Sequence, residues 1–145
     1  MRLQGAEETE RFGRRLAATL RPGDVVALYG DLGAGKTTLA RGILRGLGFE
    51  GDVASPTFPI VQPYETLSPP VWHVDLYRID DESELDELAL DEALADGVLI
   101  IEWPERLGAR LWPFALRLDL RREGEGARAL TAEVPTAWGE RWPPR

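Results

Sequence analysis

Asp24-Val25-Val26-Ala27-Leu28-Tyr29 runs without interruption into Gly30-Asp31-Leu32-Gly33-Ala34-Gly35-Lys36-Thr37-Thr38. The first stretch is a nearly continuous apolar run, as expected of a strand covered on both faces. The second has the spacing G-x-x-x-x-G-K-T, in which glycines let the backbone curl into a nest of N–H donors around phosphate groups. From Lys36 to Leu47, Leu39, Ile43 and Leu47 recur at helical spacing, and Gly48 is placed to end the helix. Strand, glycine loop and helix in that order predict a P-loop, whose helix N-terminus adds a positive end to the phosphate site.

The rest of the chain sharpens that reading. Of 17 Lys and Arg residues, all but Lys36 are arginine. A compact ammonium suits a tight phosphate loop in which a guanidinium fork would be too bulky. Asp31, Gly33, Ala34, Gly35, Lys36, Thr37 and Thr38 are the expected nucleotide-binding set. Within it, Lys36 should bridge the β and γ phosphates, Thr37 should ligate magnesium and Thr38 should contact the α phosphate. The chain has no Asn, so it cannot carry the Asn-Lys-x-Asp guanine motif of Ras-type GTPases. ATP with Mg2+ is the expected ligand.

Outward from the loop, Ala6 to Leu20 reads as a helix with Phe12, Leu16 and Leu20 on one stripe. Val53 to Glu65 is expected to begin as a loop and end as a short edge strand, because Pro59 and Pro63 cannot donate to a ladder. Val71 to Tyr77 and Val98 to Ile101 are strand candidates. Asp80 to Ala95 suggests one or two short helices with an acidic outer face. Leu116, Leu118 and Leu120 alternate with charged residues, and Ala129 to Val134 alternates similarly across Glu123-Gly124-Glu125-Gly126, which predicts an antiparallel hairpin. The fold class is therefore α/β: a P-loop NTPase-like mixed β-sheet flanked by helices, with a late antiparallel hairpin. Residues 1–134 are expected to form a single domain and 135–145 a tail with Trp138 and Trp142 but no periodic pattern. Trp72 and Trp112 are the expected core tryptophans.

Composition limits the function classes. A formal charge of −8 argues against a solo nucleic-acid binder, since a surface of that sign repels phosphates. Without cysteine there is neither a disulfide framework nor a thiolate metal site. No apolar run approaches the roughly 20 residues of a membrane span and no signal-peptide pattern opens the chain, so a cytoplasmic location is expected.

A P-loop site needs a further acidic ligand. Glu102 ends the most apolar strand candidate, where the Walker B acid of P-loop proteins stands; the alternative is a strand-end carboxylate facing solvent. Asp75 also ends a strand and could orient water or the metal's water shell, or simply pair with Arg78. Ser55 to Phe58 could be a switch that senses the γ phosphate, or a plain Ser-Pro turn. His73, the chain's one histidine, is expected to be packed or hydrogen-bonded rather than a metal ligand. Trp103, next to Glu102, would sit at the rim and could cover the nucleotide.

Taken in order, Gly30 to Thr38, Ser55 to Phe58 with Tyr64, His73-Val74-Asp75-Leu76-Tyr77-Arg78 and Ile101-Glu102-Trp103-Pro104 resemble the TsaE (YjeE) family. The resemblance runs from about Thr9 to Pro104. It implies a magnesium-dependent ATPase, weak alone, that supports formation of threonylcarbamoyladenosine beside the anticodon of tRNA. It also implies association with TsaB and TsaD, and contact with tRNA only through that complex. Carried over by position, Thr37 and Glu102 would hold magnesium, Asp75 would serve hydrolysis with Lys36, and Thr9 would approach the base. Family members often place an arginine after a glycine in the late hairpin turn, near the nucleotide. Here that stretch is Gly124-Glu125-Gly126-Ala127-Arg128, so the arginine is absent or displaced to Arg128. A stand-alone small-molecule kinase and a nucleotide-gated binding module with negligible turnover are the competing readings.

Overall fold

Val25–Leu28 and Val98–Ile101 are wholly inaccessible to solvent and lie side by side at the centre of one sheet. The computed structural model describes residues 1–31, 33–53 and 60–145. In chain order the elements are β1 (Arg2–Gln4), α1 (Gly5–Ala17), β2 (Val25–Tyr29), α2 (Lys36–Gly46), β3 (Val61–Tyr64), β4 (Val71–Asp75), α3 (Glu82–Glu87), α4 (Leu90–Asp96), β5 (Val98–Glu102), β6 (Leu116–Glu123) and β7 (Ala127–Glu133). Pro104–Arg110 and Thr136–Arg141 are 3-10 segments.

The sheet order is β1-β7-β6-β2-β5-β4-β3. Strands β6, β2, β5 and β4 are mutually parallel, whereas β3, β7 and β1 add antiparallel edges. Residue alternation sorts the central strands into two layers. Val26, Leu28, Val98 and Ile100 pack with Phe12 and Leu16 of α1 and Leu39 and Ile43 of α2. Val25, Ala27, Leu99 and Ile101 pack with Leu85, Leu90 and Leu94 of α3 and α4. Helices on both faces explain why the parallel strands are apolar throughout. The mixed α/β fold expected from the P-loop is the fold observed.

Helices α1 and α2 approach through glycine. A Cβ on Gly42 would lie 2.2 Å from the Glu10 carbonyl oxygen, and one on Gly13 would lie 2.6 Å from that of Leu39. No side chain fits between the two backbones, so α2 is held directly against α1. Asp80 to Ala95 forms two helices rather than one, with Asp81 Oδ1 capping α3 by accepting from the Ser83 N–H at 3.1 Å. Strand β3 includes Pro63 and lies on the sheet edge, as a proline strand must.

Two features depart from the sequence reading. Strand β1 pairs with β7 and closes the other edge; three residues are too few to show a period. The deeply buried tryptophan is Trp138, while Trp72 and Trp112 are only partly buried. Trp138 is drawn in by its neighbour Arg141, whose guanidinium lies 4.2 Å from the Trp138 ring centroid. Arg141 Nη1 and Nη2 donate to Asp24 Oδ2 and Oδ1 at 2.7 and 3.2 Å, and Nη1 also donates to the Thr19 carbonyl at 2.9 Å. Trp142 meets Phe12 of α1 edge-on at 5.8 Å between centroids. The last residues thus clasp the start of β2 and the α1 layer.

Candidate functional site

The P-loop leaves the carboxyl end of β2, and β2 lies between β5 and β6. Parallel sheets present strand carboxyl ends and helix N-termini at the same edge, which is where such folds bind ligands. Gly30 (φ 141°) must be glycine, because a Cβ there would lie 2.5 Å from the Leu120 carbonyl oxygen. Gly35, at φ 107°, turns the chain into α2 in the left-handed region.

The register brings the acidic residues together. Asp75 of β4 pairs directly with Glu102 of β5, and both are buried at the strand ends. Thr37 in the first turn of α2 meets Glu102: its Oγ1 donates toward Oε1 and Oε2, both at 3.3 Å. His73, two residues before Asp75 on the same face of β4, places Nε2 2.6 Å from Glu102 Oε2. Asp75 Oδ1 accepts from the Tyr77 N–H at 2.9 Å, which fixes its carboxylate at the turn after β4. A cleft of about 250 Å3 is lined by Gly33, Gly35, Lys36, Thr37, Thr38, Asp75, Tyr77, Glu102, Trp103 and Arg128.

Lys36 is folded back over its own loop. Its Nζ donates to the Gly30 carbonyl at 2.6 Å and lies 3.9 Å from the centroid of the Trp103 ring. Burial lowers the Lys36 pKa below the ordinary 10.5, against the opposing pull of the Glu102, Glu105, Asp75 and Asp31 carboxylates. Trp103 follows Glu102 at φ 59° and stacks obliquely on Tyr77, 4.9 Å between centroids.

Of the other sequence candidates, Thr9 is buried in α1 with its methyl 3.9 Å from the position a Cβ on Gly35 would take, so it lies against the loop. Its hydroxyl donates to the Gly5 carbonyl at 3.1 Å. Asp31 is exposed, and its carbonyl accepts from the Ala34 N–H at 3.0 Å to close the loop. The Ser55 to Phe58 segment lies outside the described residues.

Sequence reasoning left open whether the hairpin arginine is lost or displaced. Arg128 Nε donates to the Ala34 carbonyl at 2.8 Å and Nη2 to the Gly33 carbonyl at 3.3 Å. Arg128 therefore reaches the P-loop and engages its carbonyls. Its cross-strand neighbour Arg122 lies against Gly33, where a Cβ would meet Nη2 at 2.3 Å. The glycine-flanked turn marked Arg128 as a candidate, but nothing local marks Arg122, and some 95 residues separate Arg128 from Gly33; the β6–β7 pairing is what brings both to the loop.

A family model described as threonylcarbamoyl adenosine biosynthesis protein TsaE matches residues 3–130. The chain is 46% identical over 135 residues to the Streptomyces coelicolor tRNA threonylcarbamoyladenosine biosynthesis protein TsaE, covering 90% of this chain and 91% of that protein. It is 42% identical over 137 residues to the Bacillus subtilis protein of the same description, covering 94% and 84%. The crystal structure of Bacillus subtilis YdiB superposes with a TM-score of 0.81 at 34% identity, over 95% of this chain and 86% of that one. The chain belongs to the TsaE family of threonylcarbamoyladenosine biosynthesis proteins.

Proposed function

We propose that this chain binds ATP with Mg2+ and hydrolyses it in support of threonylcarbamoyl transfer to the adenosine beside the anticodon of tRNA, acting with TsaB and TsaD in the cytoplasm. The observation that carries the proposal is the meeting of Thr37 and Glu102 beside Lys36 at the mouth of the P-loop. The donors fit magnesium: a carboxylate and a hydroxyl are hard oxygen ligands, and magnesium commonly takes one or two such protein ligands together with substrate phosphates.

When bound, magnesium would supply charge neutralisation to the phosphates. Thr37 and Glu102 would hold it, and the P-loop N–H groups would cradle the phosphates. Lys36 would leave the Gly30 carbonyl for the phosphate oxygens. Asp75, fixed by the Tyr77 N–H, would orient the attacking water. Arg128, bound through its guanidinium to the carbonyls of Ala34 and Gly33, would keep the loop in register as the phosphates enter. The engaged lysine supports weak activity alone, since the free chain must first give up two contacts of that ammonium. Contact with tRNA falls to the partners, because a chain of net charge −8 repels it.

The test is Mg2+-dependent ATP hydrolysis by the purified chain, alone and then with TsaB and TsaD. Turnover that rises with the partners is expected. Bound ATP with no turnover in any combination would refute the ATPase assignment.

A further inference from the structure

His73 is completely buried, and its surroundings do not explain why the position is polar. Alternation puts Val71, His73 and Asp75 of β4 on the α2 side of the sheet. There the register sets them beside Val98, Ile100 and Glu102 of β5. His73 thus stands between apolar neighbours, one step deeper than the two carboxylates. Its Nδ1 has no hydrogen-bond partner among the described residues. A buried polar atom left without a partner is unfavourable, and an apolar side chain would fill the same space without that cost. What an apolar side chain could not provide is the 2.6 Å hydrogen bond from Nε2 to Glu102 Oε2. With a proton on Nε2 the ring donates that bond to the carboxylate, which can only accept.

We propose that His73 is a positioning residue for Glu102. Its Nε2–H holds Oε2 so that the carboxylate stays turned toward Thr37, in the orientation that receives the metal. This rests on the reading of Thr37 and Glu102 as the magnesium ligands. A glutamate side chain has several rotatable bonds, and anchoring one oxygen from beneath removes the freedom that metal binding would otherwise have to remove. Buried partners of metal ligands commonly tune metal affinity by about 10- to 100-fold.

The experiment titrates Mg2+ into each protein at fixed ADP and follows ADP binding by calorimetry, with a parallel measurement in EDTA. His73→Leu is expected to raise the Mg2+ concentration of half-effect about 10-fold or more, with the loss falling on that concentration rather than on ADP affinity in EDTA. His73→Gln, whose amide N–H reaches about as far as Nε2, is expected to restore most of the wild-type value. An unchanged Mg2+ midpoint in His73→Leu, or a Gln variant as impaired as the Leu variant, would overturn the proposal. Circular dichroism reports whether His73→Leu folds. If it does not, His73→Asn replaces it, because that amide is too short to reach Glu102. Asn impaired with Gln intact supports the positioning role, and equal behaviour of the two refutes it. If Mg2+ has no effect on ADP binding by the wild-type chain, the magnesium site itself is wrong, a failure distinct from that of His73 alone.

Discussion

Trp103 offers a test in which the sign of the effect decides between two roles for one ring. From sequence, a tryptophan beside Glu102 could cover the nucleotide. In the structure it covers Lys36, 3.9 Å from ring centroid to Nζ, while the same ammonium donates to the Gly30 carbonyl. On the proposed reading, a nucleotide draws Lys36 out of both contacts. A cation–π contact contributes about 0.5 kcal/mol when exposed and about 2 kcal/mol when desolvated. Lys36 is buried and Trp103 half-buried, so the value lies within that range. Removing the ring destabilises the free state by that amount and leaves a phosphate-bound lysine untouched. At about 1.4 kcal/mol per factor of ten, ATP and ADP should bind about 2- to 30-fold tighter to Trp103→Leu. Leucine keeps apolar bulk at the site and faces the same penalty at φ 59° as tryptophan, so backbone strain is not what changes. Calorimetric titration of both proteins with ADP gives the ratio, and thermal unfolding of the free variant should show a matching small loss of stability. Weaker nucleotide binding by Trp103→Leu would refute the reasoning, because the ring would then contribute more to the bound state than to the free one.

Gly42→Ala puts a Cβ 2.2 Å from the Glu10 carbonyl oxygen. Forced overpacking of this kind costs about 1–3 kcal/mol against a helix-propensity gain of about 1 kcal/mol, so denaturant unfolding should show unchanged or reduced stability, and a clear gain would contradict the packing described. Arg141→Ala strips Asp24 of a two-pronged partner in a pair whose side chains are only 14% and 12% exposed. Breaking a buried pair costs about 3–5 kcal/mol; discounted for partial exposure, about 2–4 kcal/mol should lower the melting temperature by about 7–13 °C in a chain of this length. A melting temperature within a degree or two of wild type would show that the C-terminal clasp contributes nothing. The lowered Lys36 pKa gives a proton-linkage test. Because its folded value lies below the ordinary 10.5, the free folded chain holds fewer protons than the unfolded one between those values, and stability attributable to Lys36 rises with pH through that window. Phosphates favour the charged form, so nucleotide binding there should take up a proton and weaken as pH rises. Calorimetry in two buffers of different ionisation enthalpy measures that uptake, and none in alkaline buffer would count against the burial effect.

What the sequence made legible follows the range of the interactions involved. The strand, loop and helix from Asp24 to Leu47 could be read because backbone freedom, periodicity and burial all act within a few residues of one another. The buried β5 run was legible for the same reason, and Glu102 could be placed at its end. That Asp75 and Glu102 face each other depends on the β4–β5 register, a long-range fact that neither strand announces. Strand β1 could not be read because its pairing with β7 spans most of the chain. Arg128 shows the same limit: its glycine-flanked turn was visible, but its contact with the Ala34 carbonyl depends on β7 lying beside β6 and β6 beside β2. The place of Trp138 was left open because an aperiodic tail gives no sign that an arginine three residues on will anchor it against the core.

Burial of polar groups locates the site independently of any motif. Among the described residues the buried polar or charged side chains are Thr9, Asp24, Lys36, His73, Asp75 and Glu102. Each is unfavourable to bury unless a partner compensates. Asp24 is compensated without reference to function, by both nitrogens of Arg141 and by the Arg21 N–H at 2.7 Å. The other five come from α1, α2, β4 and β5, yet four gather around the P-loop and His73 joins them through Glu102. Thr9 and Asp75 have backbone partners, but Lys36 and Glu102 are compensated differently. The Lys36 ammonium turns to a carbonyl and a ring face, and Thr37 shares one carboxylate with His73. A fold selected only for stability would replace such a cluster with apolar side chains, since a polar network built for packing alone offers little over a hydrophobic core. A strongly anionic ligand accompanied by a hard cation reverses that comparison, giving the ammonium a phosphate and the carboxylate a metal. The cluster around Lys36 therefore fits the phosphate and magnesium site proposed above, with His73 beneath it placed to hold the carboxylate.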